Sequence, residues 1–80
     1  MTGRRRYVVA LRRGRRLANL ADALDAVPGV VVVGATARRA LIEIDRTALA
    51  ALRAHRPADG RGATFDALCR IEPEMPHDLA

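Results

Sequence analysis

Lysine and tryptophan are missing from this 80-residue chain, and it holds one cysteine, one phenylalanine and one tyrosine. Each shortage excludes something. A lone Cys69 rules out an internal disulfide and any cysteine-based metal cluster. With so few aromatic rings, the core has to be built from Val, Leu, Ile and Ala. A chain this short buries only roughly 60–65% of its unfolded surface, which leaves a modest margin of stability. Long hydrophobic runs are also lacking. The basic N-terminus "MTGRRRYVVALRRGRR" contains only the five-residue apolar run "YVVAL". That is too short for a signal-peptide core, and no segment is long enough to span a membrane. A cytoplasmic location without membrane insertion is the default expectation.

Arginine is what the chain has in abundance. All 14 basic residues are arginine, against nine Asp and Glu, for a net charge of +5. Such a balance suits nucleic acid, an anionic membrane or an acidic protein surface, and composition does not choose among them.

The hydrophobic pattern changes period along the chain. "RYVVALRRG" predicts a strand with Tyr7, Val9 and Leu11 on one face and Val8 and Ala10 on the other. Apolar residues on both faces mark it as central. "RRLANLADALDAVPG" predicts a helix, with Leu17, Leu20, Ala21, Leu24 and Val27 on one stripe and Pro28-Gly29 as its stop. Val30 to Val33 predicts a second strand and Gly34 to Ala37 a connection. From Arg39 to Asp45 the pattern alternates, with Ala40, Ile42 and Ile44 on the drier side. "DRTALAALRAHRP" predicts a second helix capped by Asp45 or Thr47. The stretch from Ala58 to Ala63 reads as a flexible loop. A last strand over residues 67–72 follows, with room for a helical turn at its start. Val9, Leu20, Leu24, Val31, Ile42, Leu52 and Ile71 are the expected core.

The order β-α-β-β-α-β predicts an α+β, ferredoxin-like domain over residues 1–72. Its four-stranded antiparallel sheet, in order 4-1-3-2, carries two helices on one face. Pro73 and Pro76 should end the ladder and leave residues 73–80 as an extended tail.

Catalytic residue types are scarce. His55 is expected as a solvated partner of a helix end, and His77 beside Asp78 lies in the tail, where nothing holds a general base in place. The chain has no Cys pair, no Gly-rich phosphate loop and no paired carboxylates in a plausible cleft. The expectation is a non-enzyme with no cofactor and no metal. Arg4, Arg5, Arg6, Arg12, Arg13, Arg15 and Arg16 flank the first strand, and Arg38 and Arg39 open the third. The first seven are candidates for a nucleic-acid footprint, or for a surface that meets a partner protein. Single-strand RNA readers of this architecture stack bases on sheet aromatics. Here Tyr7 and Phe65 are the only candidates for that role.

The second half carries a resemblance. "ALIEIDRTALAALRAH", then a loop, then "CRIEPEMPHDLA" resembles the propeptide domains of subtilisin-type serine proteases, the inhibitor I9 family. "YVVALRRG" is similar to that family's first strand. The segment from Arg56 to Leu68 is longer than the family's usual connection. The resemblance implies a free-standing inhibitor, chaperone or recognition module for a subtilisin-type protease. The sheet's outer face would pack on two protease helices, and the tail would lie in the substrate cleft as an added strand. It further implies that Glu72 and Glu74 meet helix N-termini, where carboxylates bind well. Ala80 would occupy the primary pocket, preceded by Leu79, Asp78 and His77.

Overall fold

The structure is a computed structural model that describes residues 3–74. Its elements are β1 (Arg5–Leu11), α1 (Leu20–Asp25), β2 (Val31–Ala35), β3 (Arg39–Ile44), α2 (Arg46–Ala54), a 3-10 turn (Ala58–Gly60), α3 (Phe65–Leu68) and β4 (Cys69–Pro73). The four strands form one sheet in the order β2-β3-β1-β4, with every neighbouring pair antiparallel. This is the expected 4-1-3-2 order read from the other edge. The domain is α+β and ferredoxin-like, with α3 as an added turn before the last strand.

Strand alternation sorts the sheet into two faces. Val9 lies opposite Ala40 on one side and Ile71 on the other, Tyr7 opposite Ile42, and Leu11 opposite Cys69. These residues meet Leu20 and Leu24 of α1, Leu52 of α2, and Phe65 and Leu68 of α3 in a single core. No polar or charged residue is buried among the described residues. The core draws its stability from apolar area removed from water, about 25 cal/mol per Å². Among the described residues, no helix is long and apolar enough to cross a membrane.

Capping residues fix where the helices start. Asn19 has an extended backbone, φ −149°, and its side-chain oxygen accepts from the Asp22 N–H at 3.0 Å. It therefore starts α1 at Leu20, later than the apolar stripe suggests. Leu17 is buried without being helical. Asp45 caps α2 by accepting from Ala48 N–H at 2.8 Å. Thr64 caps α3 by accepting from Ala67 N–H at 3.2 Å. Each is a short polar side chain that satisfies one of the free N–H groups of a first turn.

Three expectations are corrected. Val31 was expected in the core but is 40% exposed, and Val30 takes the buried place. A run of four valines contains no phase. The phase comes from pairing Val31 with Glu43, on the side away from the helices. The stretch 58–63 is not a loose loop. Its 3-10 turn buries Gly60 beneath Leu68 and Pro57, and Arg61 adopts a left-handed conformation, φ 54°. Lastly, Pro73 does not end the ladder. It pairs with Tyr7, and the next residue, Glu74, donates its N–H to the Arg6 carbonyl at 2.9 Å. Alternate residues of an edge strand turn their N–H outward, so a proline at an outward position costs no hydrogen bond.

Candidate partner-docking face

The helices cover one face of the sheet, and among the described residues no element covers the other, bare face. On the bare face, Val8 of β1 lies between Leu41 of β3 and Glu72 of β4. Val8, Ala10 and Leu41 are half-buried by their neighbours. At the β2 edge the register shifts between Val32 and Gly34, which leaves Val33 as a bulged residue, 46% exposed. Gly34 then faces Leu41 with no side chain. The result is a shallow depression of about 300 Å³ floored by Val8, Gly34 and Leu41, with Glu74 on its rim. An apolar centre rimmed by charge is the usual composition of a docking surface.

Charge is distributed unevenly along the strands. Toward the start of β1, the Arg6 Nε donates to Glu43 Oε2 at 3.1 Å, and Glu74 meets the sheet beside Arg6. Glu72 and Glu74 are two apart on an extended segment, so they share a side. Each lines a depression that also includes Val8. The Arg70 Nε–Glu72 Oε2 contact is 3.8 Å long with both side chains about two-thirds exposed, so it restrains Glu72 little. His77, Asp78, Leu79 and Ala80 lie outside the described residues.

The structure divides the arginines that the sequence grouped together. Arg4, Arg5 and Arg6 stand at the start of β1, and Arg12, Arg13, Arg15 and Arg16 follow its end. Six strand steps, about 20 Å, separate Arg6 from Arg12. β3 and β4 both start at the Arg12 end, and they bring Arg39 and Arg70 to either side of Ala10. Arg12, Arg13, Arg39 and Arg70 line one depression of about 510 Å³. Arg38 is not a free surface cation. Its guanidinium donates to the carbonyls of Leu11, Arg12 and Arg15 at 3.4, 3.1 and 3.3 Å, tying the β2–β3 hairpin to the loop after β1. Nothing in the sequence separates Arg38 from Arg39. The distinction arises from the hairpin, closed by Thr36 N–H to the Arg39 carbonyl at 2.7 Å.

Other candidates have structural explanations. His55 is not a solvated end group. It is half-buried and stacked on Phe65, with ring centroids 5.8 Å apart, and its carbonyl accepts from Phe65 N–H. Phe65 is therefore in the core on α3, not on the sheet, and Tyr7 points to the helix side with Val9. Among the described residues, the bare face has no aromatic ring for base stacking. The Cys69 thiol is fully buried opposite Leu11, and burial pushes its pKa up to about 11 despite the Arg12 charge. Among the described residues, no three His, Cys, Asp or Glu side chains gather to hold a metal ion. Arg53 joins three elements, donating to Asp66 Oδ1 of α3 at 2.9 Å and to the Ile71 carbonyl of β4 at 3.5 Å. No protein-family model, curated protein or solved structure matches this chain.

Proposed function

We propose that the domain is a propeptide-like module that docks on a subtilisin-type serine protease and inhibits it or assists its folding. The observation that carries this reading is the placement of Glu72 and Glu74. Both border a bare sheet face with an apolar centre, Glu72 on the last strand and Glu74 just after it, where the chain leads into the C-terminal segment. A partner resting on that face meets Val8, Ala10 and Leu41. Helix N-termini of the partner meet the two carboxylates, with unpaired N–H groups and the positive end of the helix dipole directed at them. Residues 75–80 then continue from the sheet edge into the protease cleft, where main-chain hydrogen bonds to an extended strand supply affinity.

The ferredoxin-like order, the bare face and the acidic pair all agree with the resemblance read from "CRIEPEMPHDLA". The test is steady-state inhibition of several subtilisin-type proteases by the intact chain and by Leu41→Glu. The intact chain should inhibit at least one of them. The added charge at the centre of the face should weaken inhibition at least about tenfold, about 1.4 kcal/mol. If no such protease is inhibited or assisted in refolding, the reading fails.

A further inference from the structure

We propose that the end of the molecule where β1 leaves the sheet binds the phosphodiester backbone of single-stranded nucleic acid, without reading its bases. Ala10 pairs with Arg39 on one side and Arg70 on the other. Strand spacing sets their Cα atoms about 10 Å apart. The small Ala10 side chain leaves the space between them open, and Arg12 and Arg13 complete the wall of that depression. The same loop then turns a corner. Arg15 and Arg16 join Arg61 around a second depression, of about 400 Å³. The cations thus form a track from the bare face around the end of the domain, with the carboxylates of Glu72 and Asp59 lying along it.

Two features shape this track. The loop that carries Arg12, Arg13, Arg15 and Arg16 is held by the Arg38 guanidinium through three carbonyls. Arg38 is thus a positioning residue. Arg12 donates from Nη2 to the Asp66 carbonyl at 3.3 Å, and Arg13, Arg15 and Arg16 extend from a loop that is tied down. The left-handed Arg61, between the 3-10 turn and Gly62, brings its charge beside that loop.

The ligand class follows from what surrounds the arginines. Each guanidinium matches a phosphate in a bidentate fashion. A curved track fits a flexible chain of closely spaced charges better than the rigid surface of an acidic protein. No described residue of the bare face supplies an aromatic ring for base stacking, so affinity rests on phosphate neutralisation and falls steeply with salt. This assigns a footprint different from the one visible in the sequence. Arg39, Arg61 and Arg70 belong to it, whereas Arg4, Arg5 and Arg6 lie at the other end of β1.

The experiment is a fluorescence anisotropy titration of labelled oligodeoxythymidylate with the full chain at several salt concentrations. Arg39→Gln/Arg70→Gln and Arg4→Gln/Arg5→Gln remove equal charge from opposite ends, and circular dichroism checks that both variants fold. The expected result is binding at low salt that weakens linearly on a log–log plot. Loss of Arg39 and Arg70 should weaken it at least about tenfold and flatten the slope by about 1.4, two single-strand phosphate contacts. Loss of Arg4 and Arg5 should change affinity less than about threefold. Equal losses from the two ends would mean attraction by net charge alone and would overturn the proposal. So would absence of binding at low salt, a strong preference for one base sequence, or equal affinity for polyglutamate of matched charge.

Discussion

Cys69 shows how one residue's chemistry is set by its position. It alternates with Arg70 on β4, so the thiol enters the core while the guanidinium remains in water. Burial pushes the thiol up from 9.0 to about 11, because the dry interior disfavours the thiolate, and Arg12 offsets only part of this. A group that binds its proton more tightly when folded contributes stability below its unfolded pKa, and that contribution fades as pH rises past it. Unfolding by urea should therefore become easier between pH 9 and about 11, and Cys69→Ala should show a shallower decline across that window. At pH 8 the folded protein should resist a thiol-specific disulfide reagent that reacts fully in denaturant. Fast labelling of the native state would show that the strand is open or that the thiol faces outward.

Between elements, the close approaches are made by glycine. Gly29 follows α1 at φ +88°, a region where L side chains are strained, and a Cβ there would lie 2.8 Å from the Ala48 Cβ of α2. Gly29→Ala should destabilise the fold by about 1–3 kcal/mol, read as a lower denaturant midpoint with little change in m-value. An unchanged midpoint would mean that α2 sits farther from this turn. The stop itself was legible in Pro28-Gly29, as were the order of the elements, the central place of β1 and the buried faces of β3 and α2. Alternation and helical spacing record those directly. The phase of the valine run was not legible, because four identical residues fit either face and only pairing with Glu43 decides. The first helix looked longer than it is because Leu17 continues the apolar stripe while Asn19 caps the turn after it. At the candidate site, the acidic pair was visible as two glutamates on one extended segment. The basic end was half visible. Arg12 to Arg16 stand together in sequence, but Arg39, Arg61 and Arg70 join them only through antiparallel pairing and the left-handed turn.

For the whole molecule, the bare face is polarised along its strands. Glu43 and Glu74 stand toward one end, Arg12, Arg13, Arg39 and Arg70 toward the other, and the apolar patch lies between, with Glu72 beside Val8 at its edge. A chain of net charge +5 needs such an arrangement to hold carboxylates against a partner while remaining attractive to anions. The two proposed binding modes share Glu72 at their border but otherwise depend on different residues of the face, and can be separated. Removal of residues 77–80 should leave the fold intact, since the core formed by the described residues runs from Val9 to Ile71. It should weaken protease inhibition at least about tenfold, about 1.4 kcal/mol, and leave oligonucleotide affinity unchanged within about threefold. Glu72→Ala and Glu74→Ala should each weaken inhibition through lost contacts with helix N-termini, about 0.3–2 kcal/mol apiece. The same two changes should strengthen oligonucleotide binding slightly, because each removes a negative charge from the face. Parallel titrations of the truncated and double-glutamate variants against a responsive protease and an oligonucleotide make the comparison. If both variants lose both activities together, the two ends are not independent and the polarised face acts as a single surface for one partner.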